Sequence, residues 1–171
     1  MPFASLDGRR IEYRTIPGDA GRPALVFLHE GLGSAGLWRD FPDRLARRLG
    51  MSALVYSRFG YGRSAGLVSR RTPRFMHEEA LDVLPRLLAA VGFARPLLVG
   101  HSDGASIALI HAASGADVSG LVAMAPHVFV EPVSLSSIAR ITEQYETGDL
   151  KARLARYHDH VDDAFLGWSG T

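Results

Sequence analysis

The chain has 171 residues, 47% of them hydrophobic and 22% charged, the composition of one globular domain with enough apolar sequence to bury a core. Lys+Arg 19 against Asp+Glu 18 leave a net charge of +1, so no overall field favours nucleic acid or an anionic membrane as partner. Without cysteine there are no disulfides, thiolate metal sites or cysteine nucleophile, and the opening MPFASLDGRR lacks the apolar core of a secretory signal, so a cytoplasmic location is expected.

Residues 3–16 read as a hairpin, because Asp7-Gly8 is a two-residue turn signal between Phe3 to Leu6 and the alternating Ile11, Tyr13 and Thr15. The run from Ala24 to Leu28 is apolar without alternation, as a parallel strand covered on both faces should be. After a loop punctuated by Gly31, Gly33 and Gly36, Leu37, Trp38, Phe41, Leu45 and Leu49 recur at helical spacing and Gly50 marks the stop. Ala53 to Tyr56 is a second buried strand, followed by a glycine-rich loop from Arg58 to Ser64. Thr72-Pro73 reads as an N-cap and first helical residue, with Met76, Ala80, Val83, Leu84, Leu87 and Val91 as the buried face and Gly92 as the end. Pro85 inside that helix predicts a bend. Residues 96–99 are a third strand, 103–113 a helix and 118–125 a further strand.

Strands alternating with helices in this way predict an α/β fold with a mostly parallel sheet covered on both faces. After Pro126 the rhythm breaks: residues 133–160 read as polar helix with a sparse apolar stripe. The arginine groups Arg44, Arg47 and Arg48, and Arg70, Arg71 and Arg74, read as solvated surface. No apolar run reaches the roughly 18 residues that span a bilayer.

Three motifs carry chemistry. Gly100-His101-Ser102-Asp103-Gly104 fits G-x-S-x-G directly between a buried strand and a helix. A serine hydroxyl is a poor nucleophile unless it is presented to a base, and a sharp strand-to-helix turn presents it. The amide of Asp103 would then lie at a helix N-terminus, where the dipole favours a developing oxyanion. The competing reading of the pentapeptide is an ordinary helix N-cap with Ser102 as the capping residue. His29-Glu30-Gly31-Leu32-Gly33-Ser34 follows the first parallel strand, and a turn there can offer the Gly31 amide as a second oxyanion donor. Within it His29 reads as a loop-holding residue rather than a base, and Glu30 either orders the loop or faces the pocket. The third motif, Ser57 to Ser64, reads as an architectural loop, with Arg58 or Tyr61 touching substrate as the lesser alternative.

With these motifs in this order the chain resembles the α/β-hydrolase superfamily over residues 3 to about 126. Gly100 to Gly104 is similar to its nucleophile elbow. His29 to Ser34 is similar to its oxyanion loop, with Glu30 where glycine is usual. Arg58 to Ser64 is similar to its R-G-x-G-x-S loop, with Phe59 in place of one glycine and Ser57 where aspartate is common. The resemblance implies a serine hydrolase acting through an acyl-enzyme on a small ester, thioester or lactone, without cofactor or metal. Ser102 would be the nucleophile, Gly31 and Asp103 the oxyanion donors, and Glu30 and His127 pocket residues. It divides the chain into an α/β-hydrolase core at 1–126 and the start of a helical lid at 127–171. The superfamily usually has eight strands and orders its triad as serine, acid, histidine, so with six strands here acid and base are expected beyond residue 171. The chain then reads as a fragment, nearly inactive alone, with a second chain or fragment completing the domain, or a homo-oligomer, among its expected partners beside a small-molecule substrate. His127 is the best internal alternative for the base. His111 reads as core or surface, and His158-Asp159-His160 as a poor metal site, since i and i+2 on a helix point apart. The rival from another class is a non-catalytic α/β-hydrolase-like binding or scaffold protein.

Overall fold

A computed structural model describes residues 1–170. Strands β1 (Phe3–Leu6) and β2 (Arg9–Ile16) pair antiparallel around Asp7-Gly8, whose φ values of 52° and 74° are those of the tight hairpin turn the dipeptide predicts. Strands β3 (Leu25–Leu28), β4 (Ala53–Tyr56), β5 (Leu97–His101) and β6 (Gly120–Met124) follow, and every residue of β3 and β4 is buried. The six form one sheet in the order β1-β2-β4-β3-β5-β6, antiparallel as far as β2–β4 and parallel from β4 to β6.

Successive strand residues point to opposite faces, so the unbroken apolar runs build two cores. Val26, Leu28, Leu54, Tyr56 and Leu98 meet Leu84 and Leu87 of α3 (Leu84–Val91) and Ile107 and Ala108 of α4 (Asp103–Ala113). Leu25, Phe27, Ala53, Val55 and Val99 meet Ala46 of α1 (Phe41–Leu49) together with Ala35 and Trp38. Each fully buried Leu, Val or Phe is worth about 1.5–3 kcal/mol relative to exposure, which is why the sheet's centre rather than its margin fixes the fold.

Three boundaries depart from the sequence pattern for local reasons. The first helix begins at Phe41 and not at Leu37: residues 34–41 form turns, and Trp38 stacks on Phe41 at 5.7 Å and meets Phe27 edge-on at 5.4 Å instead of continuing the helical stripe. The second helix starts at Phe75, since the Thr72 hydroxyl accepts the Arg74 N–H of a preceding turn; α2 (Phe75–Glu78) then runs through one π-helical turn, Glu79–Val83, into α3. Pro85 lies at the beginning of α3, and the wide turn immediately before it accommodates the N–H that proline lacks. The polar region after Pro126 is three helices, α5 (Pro132–Thr147), α6 (Leu150–Leu154) and α7 (Val161–Ser169). Tyr145 of α5 stacks on Phe165 of α7 at 3.7 Å and its hydroxyl donates to Asp162. No helix among the described residues is long and apolar enough to cross a membrane.

The strand order positions the site. From β3 the chain moves to one side, to β4, and then returns past β3 to β5. The loop leaving β3 and the loop leaving β5 therefore diverge at neighbouring carboxyl ends, the switch point where open α/β sheets leave a crevice.

Candidate active site

β5 carries the chain through His101, and α4 starts at Asp103, leaving Ser102 alone to turn the backbone. It does so at φ 53°, ψ −119°, a conformation that costs a non-glycine residue on the order of 1–3 kcal/mol. The corner is held by its neighbours: the Ser102 N–H donates to Met124 O of β6 at 2.9 Å, and its carbonyl accepts the N–H groups of Ala105 and Ser106. The two glycines of the motif are required by close approach. A Cβ on Gly104 would stand 2.1 Å from Leu28 O, and one on Gly100 would stand 2.4 Å from Gly104 O. Helix α4 can thus press its first turn against the end of β3.

The hydroxyl does not cap the helix. No side-chain cap bond forms, and Ser102 Oγ instead lies 2.9 Å from His127 Nε2. His127 is itself clamped: its N–H donates to Ser106 Oγ at 2.9 Å, and the Ser106 hydroxyl donates to the His127 carbonyl at 2.8 Å. Ser106 sits one helical turn beyond Ser102, so the same helix that presents the serine fixes the histidine.

Glu30, Gly31, Ser102, Asp103 and His127 all line one cleft of about 630 Å³. Its other walls are apolar, with Leu32, Met76, Phe129, Val133, Ile141 and Trp168 among them. Among the described residues the backbone N–H groups of Gly31 and Asp103 have no protein acceptor, which leaves both open to a ligand oxygen. Gly31 must be glycine, because a Cβ there would stand 2.2 Å from the Trp168 indole nitrogen.

Three other histidines, His29, His111 and His158, are engaged away from the serine. His29 is fully buried, its Nδ1 2.7 Å from Glu30 O and its Nε2 accepting the Arg58 N–H at 3.1 Å; burial and then the Arg58 charge hold it well below the usual imidazole range. It holds the loop. His158 accepts the Gly62 N–H at Nδ1 and donates from Nε2 to Leu32 O, and burial lowers its pKa also. His111 is buried with Nδ1 2.8 Å from Ala80 O.

Arg58 and Tyr61 do not reach the cleft. Arg58 is 2% exposed; its Nη2 donates to Glu30 O at 2.9 Å and stands 3.9 Å from Asp103 Oδ2. Tyr61 is enclosed, with the Arg58 and Arg71 guanidinium groups at 4.8 and 4.4 Å from its ring centre. Arg58 therefore ties the loop after β3 to the residue after Ser102, the two places whose amides have no protein acceptor. Its place in a glycine-rich loop at a strand end was the sequence signal for such a role. The parts of Ser106, His158 and Trp168 left no such signal, because each depends on contacts between elements distant in sequence.

A strained serine at the sheet's switch point, with a histidine on its hydroxyl and two amides without protein acceptors beside it, is set in an α/β-hydrolase fold. A model of the alpha/beta hydrolase family matches residues 25–170, and the chain belongs to that family. It is 31% identical over 108 residues to the sn-1-specific diacylglycerol lipase of Mus musculus, covering 63% of this chain and 34% of that protein. It is 28% identical over 111 residues to a proline iminopeptidase of Lactobacillus helveticus, covering 65% and 36%. The chain thus spans about a third of the length of these curated relatives. A carboxylesterase structure from Nitrososphaera gargenis superposes with a TM-score of 0.73 at 26% identity, over 91% of this chain and 56% of that one. An esterase from Exiguobacterium antarcticum shares the fold, with a TM-score of 0.72 at 19% identity over 98% and 70%.

Proposed function

We propose that the protein is a serine hydrolase that cleaves a small ester, thioester or lactone through an acyl-enzyme. Ser102 Oγ attacks the carbonyl carbon, and the amides of Gly31 and Asp103 receive the oxyanion. The tetrahedral intermediate expels the leaving group with a proton, and water then repeats the sequence on the acyl-enzyme. The observation that carries this reading is the Ser102 hydroxyl, turned away from its own helix towards His127 at 2.9 Å from a backbone held at positive φ. The activities of the lipase and carboxylesterase relatives support an ester over other acyl substrates, and that of the iminopeptidase keeps amides in view.

The base has two sources. The family resemblance leads one to expect acid and base beyond residue 171. Within the described residues His127 is the histidine whose ring reaches the serine, and in the tautomer protonated at Nδ1 its Nε2 can take the proton inside this chain. A neutral alkyl fluorophosphonate tests the reading directly: intact mass should show one adduct on the chain and none on Ser102→Ala. Failure of the complete protein to label, with the fold intact by circular dichroism, would favour the non-catalytic binding protein.

A further inference from the structure

We propose that the cleft beside Ser102 selects substrates whose non-reacting part is apolar and carries a positive charge, with the Glu30 carboxylate as its counter-ion. The inference rests on Ser102 being the nucleophile. Of the chain's 19 lysines and arginines, none lines the cleft. Of the two carboxylates that do, Asp103 is 5% exposed and faces Arg58, so its charge is answered from within the protein. Glu30 is different. Its side chain is 36% exposed, no Lys or Arg pairs with it, and the one ionisable group within ion-pair distance is His101, with Nδ1 at 3.6 Å, beyond hydrogen-bond distance.

The carboxylate lies over its own loop. A Cβ on Gly33 would lie 2.6 to 2.9 Å from its two oxygens, so Glu30 lies where any side chain at 33 would have to be. Glu30 is also the residue immediately before the Gly31 amide. A negative charge beside a developing oxyanion raises the transition state, a cost the site bears with neutral substrates and increases with anionic ones. A cation delivered by the substrate neutralises that carboxylate at the moment the oxyanion forms. Binding and turnover should therefore both favour the cationic ligand, while the apolar wall takes the linker.

The test uses three fluorophosphonates of one chain length, ending in a methyl group, a trimethylammonium or a carboxylate. Labelling of Ser102 is followed by intact mass at about pH 8.5, where imidazoles as a class are uncharged. The cationic probe should label at least about ten-fold faster than the anionic one. That ratio should be compressed by about 0.5 M NaCl, should fall to within about two-fold in Glu30→Gln, and should keep its sign in Glu30→Asp. Equal rates in the wild-type chain, an anionic preference, or a ratio that survives Glu30→Gln overturns the proposal. If even the methyl-ended probe leaves Ser102 unmodified, the nucleophile reading fails. Charge selection is then read from binding, as the shift of the Gly31 amide resonance on titration with octyltrimethylammonium or octanoate; tighter binding of octanoate, or equal affinity, rejects it.

Discussion

At the scale of single residues, Ser102 and Gly104 illustrate two opposite demands on backbone. Ser102 is a residue with a side chain held where glycine would be easier, and Gly104 is a glycine because nothing larger fits. Adding one methyl group at Gly104 places a carbon 2.1 Å from a backbone oxygen of β3, which cannot rotate aside as a side chain would. Gly104→Ala should lower stability by about 3 kcal/mol, read as a reduced urea midpoint. It should also lower the Ser102 labelling rate, since the helix end bearing the Asp103 amide must move. His127 gives a second residue-scale expectation. If its ring takes the serine proton in this chain, His127→Gln should slow fluorophosphonate labelling by about 100-fold or more with the fold unchanged. A rate within a few-fold of wild type would assign His127 to the pocket and exclude it as the base.

At the scale of elements, the site depends on contacts from the last third of the chain. His158, between α6 and α7, joins two loops that never meet in sequence, receiving the Gly62 N–H and giving its own N–H to Leu32 O beside the Gly31 amide. His158→Ala would leave the buried Gly62 N–H without an acceptor, at a cost of about 1–3 kcal/mol. It should also slow Ser102 labelling, and a variant that loses stability while labelling at the wild-type rate would show that Leu32 does not need this support. These contacts mark the limit of what the sequence makes legible. The buried strands, the hairpin turn, α4 and the serine corner are local patterns: an apolar run of four or five residues, Asp7-Gly8, and a serine between strand and helix can each be read where they stand. The convergence of Glu30, Gly31, Ser102 and Asp103 follows at one remove, from motifs at the carboxyl ends of adjacent parallel strands. The attachment of His127 through Ser106, the tie made by His158 and the packing of Trp168 on Gly31 depend on tertiary distances for which no periodicity stands in. The π-helical turn before Pro85 was half legible, since proline predicts a disturbance but not its form.

At the scale of the whole molecule, buried titratable groups couple the fold to pH, and they pull in two directions. His29 and His158 have folded pKa values below the ordinary imidazole value, through burial above all. Once pH falls below about 6.5 the unfolded chain takes up protons on these rings that the native state refuses, so the native state loses stability as acidity rises. The geometry agrees with the sign, because both rings accept a backbone N–H at one nitrogen, and a second ring proton would face a donor. Glu79 acts oppositely. It is buried against the Tyr56 hydroxyl, and burial raises its pKa, so its contribution favours the native state at low pH and is lost as pH rises from about 4.5 through the raised value. Two histidines against one carboxyl should leave a net loss between about pH 6.5 and 5. Urea midpoints measured across that range should fall steadily towards the acid side, and replacing His158 by Gln, which cannot take up a proton, should flatten the slope. A midpoint that is constant or rises from pH 6.5 to 5 would mean that the rings accept protons in the folded state. In that case the backbone bonds at His29 and His158 could not be what holds the loops around Ser102 in place.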